Sequence, residues 1–226
     1  MEKFLCIYFI LKIFRDEFIT TYISKHEELK VHQEDLKTKV DSEREAMQES
    51  QKLMFEKKNE IVNSKNISKD AKLFVEIESL RPVNIPQNIL RTVRTIKVRL
   101  DLDDNSKMTT GRAISNLTFG EKFEFPITST DDALVIEASA DGGLCSGQSL
   151  IPLNSVTDQN EKNLELELNN DNDNNVIWLL KLKITLITSY YRLYQDNYFK
   201  AERRYAQNLA ALEKINAGLE GLAGNI

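Results

Sequence analysis

Three observations predict an all-β antiparallel sandwich flanked by long N- and C-terminal α-helices. Residues 25–63 hold neither Gly nor Pro and are rich in Glu, Lys, Gln and Met, which favour helix. Residues 71–188 break into short alternating or apolar runs separated by turn-rich stretches, the pattern of stacked strands. Residues 189–224 carry apolar side chains at heptad spacing. The chain of 226 residues therefore divides into an apolar segment 1–24, a long helix 25–63, a linker 64–70, a β-domain 71–188 and a C-terminal heptad helix 189–224.

The N-terminal segment reads "MEKFLCIYFILKIFRDEF". Its uncharged run, Phe4 to Leu11, is far short of the ~20 residues that span a bilayer. Lys12, Arg15, Asp16 and Glu17 close it, and Thr20–Thr21 is a poor cleavage site. The segment is read as a docking helix; a signal or membrane anchor and a dispensable extension are the other two readings. The following helix has a heptad frame with Leu29, Leu36, Val40, Met47, Met54 and Ile61 on one seam. Gln33, Glu43, Ser50 and Lys57 interrupt that seam, so pairing along it is expected to be weak or intermittent. The polar stretch "NSKNISKD" then reads as the linker.

In the β-domain the strand-like runs are "KLFVEIESL", "TIKVRLDL", "EKFEFPI", "DALVIEAS", "GQSLIPL", "NLELELN" and "IWLLKLKITLI". Asp101, Asp103 and Asn105 have the spacing that opens a calcium-binding EF-hand loop. Ser106 replaces the required Gly, Arg112 stands where a bidentate Glu is needed, and the flanks alternate like strands. The stretch is read as a connection between two strands. Asn169–Asn175 is expected to be an exposed loop.

The order of four of these stretches resembles a C2 domain. "KLFVEIESL" is similar to its opening strand, and "GRAISNLTFGEKFEFPI" to the stretch where a polar strand leads into alternating aromatics. "ALVIEASADGGLCSGQSLIPL" is similar to its paired-strand segment, and "VIWLLKLKITLI" to its closing strand. The resemblance covers about half the chain, and other β-sandwiches share the pattern. It implies calcium ligands on two loops at one end. The first loop, within "RPVNIPQNILRTVR", has no acid, and the second places Ser139 and Asp141 at the paired positions. The resemblance therefore implies a degenerate, calcium-independent C2 domain with no metal and no cofactor.

After Thr188, "SYYRLYQDNYFKAERRYAQNLAALEKINAGLEGLAGNI" has Tyr191, Tyr198, Tyr205, Leu212 and Leu219 at one seam position. Tyr194, Ala201, Asn208, Ile215 and Leu222 occupy the other. The stripe Tyr191, Tyr194, Tyr198, Tyr205, Leu212, Ile215, Leu219 and Leu222 predicts a helix over 186–222 that buries this face against a partner helix. That partner is the chain's own long helix, a second copy or a different protein. Gly218, Gly221 and Gly224 predict fraying at the end unless a partner holds it.

No catalytic constellation is visible. His26 and His32 are six residues apart and do not share a helix face. Cys6 and Cys145 lack neighbouring His or Cys, and no phosphate-binding loop is present. The net charge of −5 argues against general nucleic-acid binding, and two cysteines fit a reducing intracellular compartment. Arg94, Lys97 and Arg99, with Lys107 and Arg112 beyond, form a candidate patch for anionic lipid. Asp101, Asp103 and Asp104 in the same hairpin favour an ordinary solvated face. The expected function is a non-enzymatic structural adaptor that meets protein partners, homo- or hetero-oligomeric, through its helices. The resemblance extends to coiled-coil C2 proteins of the eukaryotic cytoplasm and cytoskeleton, with the centrosome, basal body and cilium as settings. The alternative is a peripheral module that binds anionic phospholipid.

Overall fold

The computed structural model describes residues 2–140, 145–170 and 175–223. It contains two compact units. The two ends of the chain, up to Glu56 and from Tyr194, form one; Lys57–Leu193 forms the other.

In the central unit the strands are β1 (Lys72–Pro82), β2 (Ile96–Leu102), β3 (Asn105–Met108), β4 (Thr118–Pro126), β5 (Ala133–Ala140), β6 (Gly147–Pro152), β7 (Lys162–Asn169) and β8 (Val176–Ile187). A single turn of helix, α2 (Gln87–Leu90), lies between β1 and β2. All strand pairs are antiparallel, and the order is β3-β2-β5-β6-β7-β8-β1-β4. Only Gln148↔Asn169 registers β6 against β7, so the sheet is two four-stranded leaves hinged at one residue pair.

The strict alternation of β2 explains the packing. Ile96, Val98, Leu100 and Leu102 are buried, while Lys97 and Arg99 between them are exposed. The buried sets of both leaves join in one core around Leu73, Ile77, Phe125, Leu134, Ile136, Trp178 and Leu180. This shared core is what makes the two leaves a sandwich. Each such aliphatic side chain contributes about 1.5–3 kcal/mol by leaving water.

The calcium-loop question is resolved by register. Leu102 pairs with Asn105, so Asp103–Asp104 is a two-residue hairpin loop. Asp103 has φ 48, a left-handed conformation that Asp tolerates. The predicted connection thus contains a short strand, β3, which four mostly polar residues do not announce.

Register also fixes the ends of the sandwich. Lys72 lies opposite Ile187, so the chain enters and leaves the β-unit at one end. Pro82↔Trp178 and Ile96↔Ala140 place the β1–β2, β5–β6 and β7–β8 connections at the other.

Residues 64–70 are not a linker. Ile67 is only 3% exposed and belongs to the sandwich core, and Ser68 N–H donates to Thr188 O at 2.7 Å. Asn63 templates the turn: its Oδ1 accepts from Lys65 and Ile67 N–H, and its Nδ2 donates to Thr128 O.

In the other unit, helix α1 runs unbroken from Glu2 to Glu56, without a boundary at residue 24. It stops before residue 63 because the chain turns at Lys57–Glu60, where Glu60 N–H donates to Lys57 O. Helix α3 runs from Tyr190 to Ala223, and it continues through Gly218 and Gly221. Along α1 the less exposed positions include Tyr22, His26, Leu29, Gln33, Leu36, Val40, Glu43, Met47, Ser50 and Met54, a 3-4 repeat, with Ala46 and Leu53 beside it. Leu36 and Val40 are the most deeply buried of these, as is Ala201 on α3.

Candidate interaction surfaces

Four side-chain contacts identify the partner of the tyrosine stripe. Tyr22 OH donates to Leu222 O at 2.9 Å, and Gln33 Nε2 to Asn216 Oδ1 at 2.7 Å. Arg204 Nε lies 2.9 Å from Glu43 Oε1, and Arg44 Nη2 donates to Tyr205 OH at 3.4 Å. Positions rise in α1 as they fall in α3, so the two helices run antiparallel. Tyr194, Tyr198, Tyr205, Leu212, Ile215, Leu219 and Leu222 are all half-buried, as is Tyr191 at the helix start. From Tyr194 onward the stripe belongs with α1 of its own chain, so this seam is occupied within the molecule.

The seam is polar in places. Arg44 also stands 5.7 Å from the Tyr205 ring centre, and Tyr198 meets Phe199 edge-on at 5.7 Å. Glu43 Oε2 is buried without a partner among the described atoms. Such groups cost stability and select one register.

Of the five cations of the expected lipid patch, Lys97 and Arg99 share the exposed face of β2. Arg99 is held between Asp101 and Glu137, each at 2.8 Å. Glu137 lies across the strand pair from Arg99. Arg112 pairs with Glu121 at 3.6 Å and donates to Phe119 O. Lys107 lies opposite Leu100, hence on the core side of its strand, with its ammonium 5.3 Å from the Phe125 ring centre. Lys97 and Arg94 remain exposed. The acids that pair with two of these cations come from other strands, Glu121 of β4 and Glu137 of β5.

A polar cluster that sequence reading misses secures the start of α3. Ser189 is the N-cap: its hydroxyl accepts from Arg192 N–H at 3.2 Å. The Glu60 carboxylate accepts from Ser189 OH at 2.6 Å, Tyr190 N–H at 3.0 Å and Tyr191 N–H at 3.2 Å. It thus sits on the free N–H groups and positive dipole of the helix. Gln159 Oε1 accepts from Thr188 and Ser189 N–H beside it. Burial works against the charge of Glu60, but hydrogen bonds from Ser189, Ser68, Tyr190 and Tyr191 outweigh it and hold its carboxyl below 4.5. The signal in the sequence is "TSYY", a Ser before a helix; its carboxylate partner lies about 130 residues away in sequence.

Elsewhere the site inventory is sparse. No group of three or more His, Cys, Asp or Glu suited to a metal occurs among the described residues. Ser139 lies on β5, and Asp141 lies outside the described residues. Cys145 is half-buried, and burial raises its thiol above the usual range; its carbonyl accepts from Trp178 Nε1 at 2.8 Å. Asp131 is paired with Lys65. His26 stacks on Tyr22 with ring centres 6.2 Å apart. No described helix is long and apolar enough to cross a membrane.

No protein-family model matches the chain, and no curated protein matches it. Similar solved structures include the two C2 domains of extended synaptotagmin 2, with 20% identity and a TM-score of 0.42. That likeness covers 60% of this chain and 46% of the other, less than half its length. A C2 domain of plant extended synaptotagmin 1 has 16% identity, and the match covers 53% of this chain and 96% of that one, with a TM-score of 0.42. A structure titled "CC2D1B coordinates ESRCT-III activity during the mitotic reformation of the nuclear envelope" has 15% identity, covers 80% of this chain and 95% of its own, and scores 0.44.

Proposed function

We propose that this protein is a non-enzymatic adaptor: a calcium-independent, C2-like sandwich joined to an antiparallel helix pair of coiled-coil type that docks into a protein assembly. The observation that carries this reading is the α1–α3 pairing, in which Gln33–Asn216, Glu43–Arg204 and Arg44–Tyr205 agree on one antiparallel register. The sequence of α1 also opens with the apolar run "FLCIYFIL", the segment read as a docking helix. The cytoskeletal setting, including cilium and basal body, belongs to the proposal through the C2 resemblance in the sequence.

Cross-linking and co-purification of the native chain test it. A defined partner should be recovered, and Leu5→Glu with Ile7→Glu should abolish recovery while the Trp178 fluorescence of the sandwich stays unchanged. Flotation with anionic liposomes that is salt-sensitive and lost on Lys97→Glu with Arg99→Glu would replace the adaptor reading by a lipid-binding one.

A further inference from the structure

We infer that the open edge of β4 pairs with the same edge of a second copy, making a weak symmetric dimer. β4 is the last strand of the sheet, with β1 on one side. Its backbone phase follows from one bond. Ile127 N–H donates to Ala71 O at 3.0 Å, and the register continues as Lys72↔Pro126, Leu73↔Phe125, Phe74↔Glu124, Val75↔Phe123 and Glu76↔Lys122. In an antiparallel pair, alternate residues turn their N–H and C=O toward the neighbour. Phe123 and Phe125 therefore bond to β1, and the outward backbone groups belong to Lys122 and Glu124, with the carbonyl of Pro126.

These two residues are complementary to themselves. An antiparallel copy related by a two-fold axis at Phe123 sets Lys122 opposite the copy's Glu124. The Lys122 N–H then donates to that Glu124 carbonyl, and the Glu124 N–H donates back; symmetry repeats the pair. The side chains follow the same logic. Within one chain Lys122 leans toward Glu76 at 3.6 Å, and Glu124 pairs with Lys72 at 2.9 Å. Across the two-fold the row would read Glu76, Lys122, then the copy's Glu124 and Phe74, with the copy's Lys72 diagonal to its Glu124, so each Lys122 stands between two carboxylates. Phe123, part-buried at the rim of the core, would meet its own image.

The edge is short. Thr110 N–H donates to Glu121 Oε2 at 3.1 Å, and Gly120 has φ 64, which turns the strand away. Pro126 has no N–H to offer at the other end. A reversible association fits such an edge, with a dissociation constant on the order of 10–100 μM. The inference stands apart from the adaptor reading, because neither needs the surface used by the other.

Sedimentation equilibrium of the full chain between about 5 and 500 μM brackets that constant. The parent should pass from monomer to dimer. Lys122→Glu and Glu124→Lys should each weaken the dimer about tenfold or more, a change of ~1.4 kcal/mol. An equimolar mixture of the two variants should form a heterodimer, and the charge-swapped double variant should return to within about threefold of the parent. Trp178 fluorescence and far-ultraviolet circular dichroism confirm folding of each. A parent that stays monomeric, a dimer indifferent to both reversals, or a double variant as weak as the singles overturns the inference.

Discussion

Glu60→Gln isolates the charge at the base of α3. The substitution keeps size and one acceptor oxygen but turns the other acceptor into an NH2 group. In the parent the two oxygens receive three hydrogen bonds, from Ser189 OH, Tyr190 N–H and Tyr191 N–H. Hydrogen bonds to charged groups contribute about 1.5–3 kcal/mol against about 0.5–1.5 for neutral ones. A negative charge at a helix N-terminus adds about 0.3–1 kcal/mol when exposed and up to ~2 when partly buried. Glu60 is half-buried, and relief of its desolvation offsets part of the loss. The expected net cost is about 1–2 kcal/mol, which for units of this size lowers Tm by roughly 2–8 °C. Trp178, the one tryptophan and fully buried in the sandwich, reports the unit that holds Glu60. The pH dependence is the sharper test. The carboxyl is held below 4.5 in the folded chain, so the unfolded state binds the proton more readily. Its stabilisation is therefore fully present above pH 4.5 and is lost as pH falls through the lower folded value. Tm of Glu60→Gln should differ most from the parent at about pH 7 and converge with it in acid. An equal Tm at about pH 7, or a gap that persists unchanged at about pH 3, refutes the assignment of this carboxylate as the charged cap.

Three further outcomes are expected. Gly147→Ala should destabilise the sandwich by about 1–3 kcal/mol in urea melts followed at Trp178, since a Cβ would lie 2.8 Å from Ile177 Cγ1 and 3.1 Å from the unyielding Leu168 carbonyl. Tyr198→Ser with Tyr205→Ser should remove about 2–3 kcal/mol from the helix pair, because both rings are only half-buried. Helix ellipticity should melt earlier while the Trp178 transition stays in place. Millimolar calcium should leave Tm unchanged, and a micromolar heat signal in calorimetry would show that acids outside the β1–β2 and β5–β6 loops converge on an ion.

The strands that pack on the core are legible because their alternation is local. Residues 96–102 state their own two faces, and seven of the eight described strands overlap the runs read from the sequence. β3 is hidden because its four residues offer only Lys107 and Met108 as cues, and its place depends on Leu102↔Asn105 and Arg99↔Met108. Residues 64–70 look like a linker for a related reason. Their composition is polar, yet Asn63 uses its amide to fold the turn and tuck Ile67 under the sandwich. Polarity marks a segment that does not need burial; it does not mark one that is free.

The same distinction separates what the heptads can and cannot reveal. A 3-4 repeat specifies a face, and the seam positions of that repeat from Leu29 to Met54 on α1 and from Tyr191 to Leu222 on α3 are half-buried or buried. It does not specify the occupant, because any helix with a matching repeat buries the same area. The choice is made by the exceptions to the repeat. Gln33 finds Asn216, Glu43 finds Arg204, and Arg44 finds Tyr205, three polar pairs that agree on a single antiparallel register. Sliding α3 by one heptad would part all three and leave Glu43, already short of one partner, with none. For Glu43, whose side chain is 18% exposed, that loss costs about 1–3 kcal/mol, while the exposed Arg44 and Arg204 lose little. Gln33 and Glu43, two of the residues that interrupt the seam, therefore help to select the register in which the stripe meets the chain's own α1.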